Sequence, residues 1–153
     1  MRTKRVGPLA TILVTLAALT AVTGAPAPAQ ERADEPALRP SAEVPGITPE
    51  VLVRAGVPGA PGKLAITTRT TYEPGARRRK HYHTSQVVFY ILEGAMVVQE
   101  DGREALTLKP GDAHLVRPGT VHAHWNASPS AKLVFVEFTL VDEGQRSTVF
   151  VEP

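Results

Sequence analysis

The chain has no cysteine among its 153 residues. That absence excludes disulfides and thiolate metal sites. It also excludes a bacterial lipoprotein anchor, which needs a cysteine after the export signal. Signatures of covalent or nucleotide chemistry are missing as well. There is no G-x-S-x-G elbow, no phosphate-binding P-loop, no dinucleotide fingerprint and no H-E-x-x-H. Beyond residue 29 no stretch carries an amphipathic helix of three turns. A strong charge of either sign is absent too, with 17 basic against 15 acidic groups.

The small basic excess sits at the start. Arg2, Lys4 and Arg5 form a positive segment, Leu9 to Val22 is apolar, and Ala27-Pro28-Ala29 gives an A-x-A cleavage site before Gln30. Residues 1–29 therefore read as a secretory signal peptide. The apolar run is shorter than the ~20 residues a spanning helix needs, so no stable membrane anchor is expected. The expected location is secreted or periplasmic. Removing this segment takes away three basic groups and no acidic one, which leaves a net charge of −1. Nucleic-acid binding then has no global electrostatic basis.

Residues 30–50 contain Pro36, Pro40, Pro45 and Pro49 with scattered charges, and read as a flexible tether. Residues 51–153 have a different texture. Short runs of Val, Ile, Thr, Phe and Tyr alternate with glycine and proline turns. Expected strands are 51–53, 64–72, 78–83, 87–93, 95–100, 104–108, 113–117, 121–125, 131–141 and 147–151. Asp101-Gly102 is a hairpin signal between two of them. So many short strands imply one all-β domain, a sandwich or barrel.

Five histidines are present, and four form two pairs, His81-x-His83 and His122-x-His124. On a strand, residues i and i+2 point to the same face. Each pair can aim two imidazoles at one point, and two such strands can enclose a metal. Imidazole suits zinc, copper, iron and nickel.

The arrangement of these residues resembles the cupin superfamily, in the form of a small single-domain bacterial-type jelly-roll cupin. Gly75-x5-His81-x-His83, running on to Tyr90-Ile91-Leu92-Glu93-Gly94, is similar to the first cupin motif. Gly111-x7-Gly119-x2-His122-x3-Asn126 is similar to the second, and Leu106 to Asp112 looks like the stretch leading into it. The resemblance covers roughly residues 51–141. It implies a jelly-roll β-barrel around one divalent metal, with His81, His83 and His122 as ligands and Asn126 in a structural role. The metal would be Fe, Mn, Ni or Zn. Two positions depart from the pattern. Val87 stands where the first motif usually supplies a glutamate, and Arg117 where the second has a proline. Gln86 is one residue too early to replace the glutamate unless a bulge turns it inward. His124 shares the strand face of His122 and is a candidate fourth ligand, a base or a proton shuttle.

Other residues have less pointed readings. Arg77-Arg78-Arg79-Lys80 fits a solvated edge strand. By regular-strand parity Arg79 shares the phase of His81 and His83 and is a candidate clamp for a ligand carboxylate. Glu137 reads as outward-facing on an alternating strand, although an inward carboxylate there would compensate for Val87. His114 reads as an ordinary strand residue. Trp125 either lines the barrel mouth or packs. The resulting expectation is a secreted metal-binding cupin. It is either an oxygenase or isomerase/lyase acting on a small acidic or dicarbonyl compound, or a non-catalytic module for a metal or small anionic ligand. A homodimer is the expected assembly if it follows the family habit of pairing strands between subunits.

Overall fold

A computed structural model describes residues 44–151. Residues 1–29, read as a signal peptide, and residues 30–43 of the expected tether lie outside the described residues. Ten strands follow in order: β1 (Ile47–Val57), β2 (Ala60–Tyr72), β3 (Arg77–His83), β4 (Val87–Glu93), β5 (Met96–Glu100), β6 (Leu106–Leu108), β7 (Ala113–Val116), β8 (His122–Asn126), β9 (Leu133–Asp142) and β10 (Thr148–Phe150). They form two antiparallel five-stranded sheets, ordered β1-β2-β9-β4-β7 and β10-β3-β8-β5-β6. The interleaving of 2-9-4-7 with 3-8-5-6 makes a jelly roll of two nested Greek keys. The domain is all-β, and its described part contains no helix.

Alternation places the core between the sheets. Val87, Phe89 and Ile91 of β4 are fully buried, as are Met96 and Val98 of β5 and Leu133 and Phe135 of β9. They pack with Tyr72, Leu108 and Val116 into one cluster. Each large aliphatic or aromatic side chain removed from water there contributes about 1.5–3 kcal/mol. The position of the expected glutamate, Val87, belongs to this apolar cluster.

Two turns show how local chemistry sets the strands. Val57 pairs with Ala60, leaving Pro58-Gly59 as a two-residue turn with Gly59 at φ 79°. Pro then Gly at positive φ is the residue pattern of a type II turn. The turn extends β1 and β2 toward each other, and β1 reaches back to Ile47, inside the segment read as tether. Gly94 ends β4 at φ 75°, where a Cβ would collide with the Lys132 carbonyl oxygen. The Asp101-Gly102 hairpin forms, but with a longer loop than the two residues expected. Val98 pairs with Leu106, and the Asp101 amide donates instead to the Val121 carbonyl.

Candidate metal centre

Strands β3 and β8 are neighbours, with His81 opposite His122. His81, His83 and His122 therefore meet on one inner face, and all three are buried. One ring nitrogen of each lies within 4.8 Å of the others. The other ring nitrogen is held by the backbone. His81 Nδ1 donates to the Arg79 carbonyl at 2.7 Å, and His122 Nδ1 to the Thr120 carbonyl at 3.0 Å. His83 Nδ1 lies 3.3 Å from both the Ser147 carbonyl and the Thr148 hydroxyl. A carbonyl only accepts, so each Nδ1 carries the proton and each Nε2 presents a lone pair. Those three Nε2 atoms are buried without a hydrogen-bond partner.

An orphaned buried polar atom costs roughly 1–3 kcal/mol. Three in one place are what a cation coordinated by neutral imidazole would relieve, and outer hydrogen bonds that fix the tautomer are the usual support for such ligands. The residues fit a metal. The electrostatics agree. Burial depresses the pKa of His81 to about 2 and of His83 to about 4, helped by the neighbouring His122 and Arg78 respectively. Burial also lowers that of His122. All three imidazoles are thus kept neutral, the form a metal needs.

A β-bulge does much of the positioning. Arg78 pairs with His124 and His81 with His122, so three steps on β3 match two on β8. A bulge of this kind leaves residues out of the ladder and changes side-chain phase. It releases the Arg79 carbonyl to accept from His81. It also corrects the parity argument for Arg79, whose side chain is exposed and lies over the Phe150 ring at 5.2 Å. Arg78 turns inward in its place, with Nε donating to the buried Tyr72 hydroxyl at 3.2 Å. Arg77 stacks on Trp125 at 4.1 Å, so this tryptophan packs against a cation.

The remaining candidates separate clearly. His124 is buried but stands outside the three-nitrogen group; its Nδ1 is 3.2 Å from the Tyr72 hydroxyl. The Gln86 side chain is exposed, since no register shift occurs at the start of β4. His114 shares the level of Phe89 and bonds the buried Glu100 at 3.2 Å. Glu137 runs against expectation. It shares the phase of the buried Leu133, Phe135, Thr139 and Val141, and it sits opposite Phe89. It therefore faces the interior, half-buried, where burial raises its pKa against the opposing pull of Arg78 and His122. Tyr72, Arg78 and Glu137 were the residues whose place in the site the linear sequence concealed.

A jelly roll closed around a trio of buried histidines is a β-barrel whose three imidazoles could hold a metal ion. Residues 68–139 match the family model for a cupin domain, the family that the two histidine motifs resemble. Solved structures agree. A cupin-like protein from Thermotoga maritima is 25% identical, with a TM-score of 0.55, over 69% of this chain and 75% of its own. KdgF from Halomonas sp. is 26% identical, with a TM-score of 0.51, over 65% and 82%. The polyketide cyclase RemF from Streptomyces resistomycificus shares the fold at 20% identity and a TM-score of 0.56, over 71% and 75%. No curated protein matches the chain.

Proposed function

We propose that this protein is an exported metal-dependent enzyme that acts on a small acidic or dicarbonyl compound at the His81, His83 and His122 centre. The observation that carries this reading is the set of three buried Nε2 atoms left without partners while every Nδ1 is pinned. A divalent Fe, Mn, Ni or Zn ion would be held by His81, His83 and His122 and would supply Lewis acidity there. The chain supplies the rest. Phe89 packs beside the trio, 6.3 Å ring to ring from His122. Glu137 sets a carboxylate on the opposite sheet, suited to accept a proton from a bound ligand. That carboxylate favours isomerase or lyase chemistry over oxygenase chemistry. Export is supported by the basic, apolar and A-x-A succession of residues 1–29.

The test is elemental analysis of untagged protein, followed by turnover and oxygen-uptake screens on 2-oxo, 2-hydroxy and dicarbonyl acids. One metal per chain with oxygen-independent turnover supports the proposal. Oxygen uptake would move it to the oxygenase class. Stoichiometric metal without turnover across the panel would replace it by a non-catalytic binding module.

We also propose self-association, through the outer face of the β1-β2-β9-β4-β7 sheet. Tyr90, Leu115, Phe138 and Leu140 are exposed there, and Val88 lies between Phe138 and Leu115 in register. A contiguous exposed apolar surface of this kind marks an interface. Sedimentation of the wild type and of Phe138→Asp tests it: a dimer that becomes monomeric is expected, and a monomeric wild type would reject it.

A further inference from the structure

We propose that Tyr72 and Arg78 lock His124 with its proton on Nε2, which makes it a hydrogen-bond donor to the ligand bound at the three-histidine centre rather than a fourth metal ligand. The inference deepens the proposed function and rests on that reading of the trio. It follows from proton accounting. A guanidinium nitrogen only donates, so Arg78 Nε, 3.2 Å away, makes the Tyr72 oxygen an acceptor. The hydroxyl has one proton of its own. Its other hydrogen-bond partner among the described residues is His124 Nδ1, at 3.2 Å. That nitrogen accepts, and the proton of the neutral His124 imidazole is on Nε2.

The three neighbouring imidazoles are the reverse. Their Nδ1 atoms face backbone oxygens, carbonyls in all three, which forces the lone pair onto Nε2. One barrel therefore holds two kinds of histidine, three presenting a lone pair and one presenting an N–H. The His124 ring is fixed in place. It stacks on Tyr72 at 5.6 Å and on His122 at 5.7 Å, and Phe89, His81 and Phe135 pack around it at 5.2, 5.3 and 6.0 Å. A half-turn of the ring would break the Tyr72 bond inside this packing. An N–H on a ring fixed 5.3 Å from that of His81 and 5.7 Å from that of His122, with no reorganisation needed, favours a ligand with an anionic oxygen. The chemistry selected is a carboxylate, or an enolate formed from a carbonyl compound.

The tautomers can be read directly by long-range proton–nitrogen correlation on uniformly nitrogen-15-labelled protein. In metal-free protein we expect Nδ1–H for His81, His83 and His122, and Nε2–H for His124. One equivalent of zinc should shift the Nε2 signals of the trio and leave the His124 Nε2–H in place. Acetate added to the zinc form should then shift that N–H proton. Tyr72→Phe should abolish the single-tautomer pattern of His124 without changing zinc stoichiometry, and Arg78→Met serves if Tyr72→Phe fails to fold. An Nδ1–H form of His124 in the wild type, loss of its Nε2–H on zinc loading, or an N–H indifferent to acetate would each overturn the proposal. Failure to bind zinc is a separate result: it rejects the metal centre, and the donor role with it, while the metal-free spectrum still shows whether the tautomer assignment was correct.

Discussion

The two ends of strand β8 differ in one instructive respect. At one end, Asn126 is buried with its hydrogen-bonding capacity used. Its Nδ2 donates to the carbonyls of Tyr72, Glu73 and Ala131 at 3.4, 3.2 and 2.7 Å, and its Oδ1 accepts from the Ser128 amide at 2.9 Å. At the other end, four residues back, His122 joins His81 and His83 in leaving three buried nitrogens unanswered. Burial is similar at both ends, and so is the strand geometry. The difference is completeness. A satisfied polar group ties loops together and stabilises the fold, whereas an unsatisfied cluster holds open a place for something the chain does not contain.

Substitutions at the two ends should therefore fail in opposite ways. The largest effect is expected for His83→Ala. Losing a ligand should weaken metal binding by more than the ~10–100-fold that follows loss of an outer-shell partner. The thermal stability of the metal-free form should scarcely change, because an orphaned nitrogen goes with the ring. Metal competition with a chelator, alongside melting, checks both halves. Asn126→Ala should invert the result. It strands several carbonyls and one amide, and a cost of about 2–3 kcal/mol is expected in urea unfolding, with metal stoichiometry kept at one. Loss of metal in Asn126→Ala, or of stability in His83→Ala, would erase the contrast.

Acidification sharpens the same comparison. Above pH 6.5 the trio is neutral in both folded and unfolded chains, and stability is flat with respect to these groups. Below 6.5 the unfolded chain takes up protons that the buried rings refuse. Metal-free stability should then fall as pH falls, until His83 protonates near 4 and His81 near 2. Each such histidine contributes a slope of at most about 1.4 kcal/mol per pH unit. Asn126 carries no proton equilibrium, so Asn126→Ala should be shifted by a constant amount along this curve. His83→Ala should have a shallower slope than the wild type, and an equal slope would contradict the burial argument. The smallest effect is expected for Arg79→Ala. Its backbone carbonyl positions His81, while its exposed side chain rests on Phe150. Stability should change by less than about 0.5 kcal/mol with metal binding retained, and titration calorimetry with zinc checks it.

The sequence made the fold and the trio legible for a simple reason. Alternation on short strands is a local signal, and i, i+2 histidine pairs inherit it without long-range information. What stayed hidden depended on breaks in alternation or on its ambiguity. The bulge between Arg78 and His81 exchanged the roles of Arg78 and Arg79, and nothing in a run of four basic residues marks where a ladder slips. Glu137 was hidden differently. Strand β9 is apolar on both faces, with Val134, Val136, Phe138 and Leu140 outside and Leu133 and Phe135 inside. Parity alone could not tell which face the carboxylate took. Tyr72 was obscure because its partners are 6 and 52 residues away, on two other strands.

The most direct test of the metal centre is zinc K-edge X-ray absorption on protein loaded with one equivalent of zinc. Three imidazole nitrogens are expected at about 2.0–2.1 Å, with the remaining scatterers being oxygen. A first shell made of oxygen alone, or an imidazole signal that persists unchanged when His81, His83 and His122 are replaced together, would contradict it.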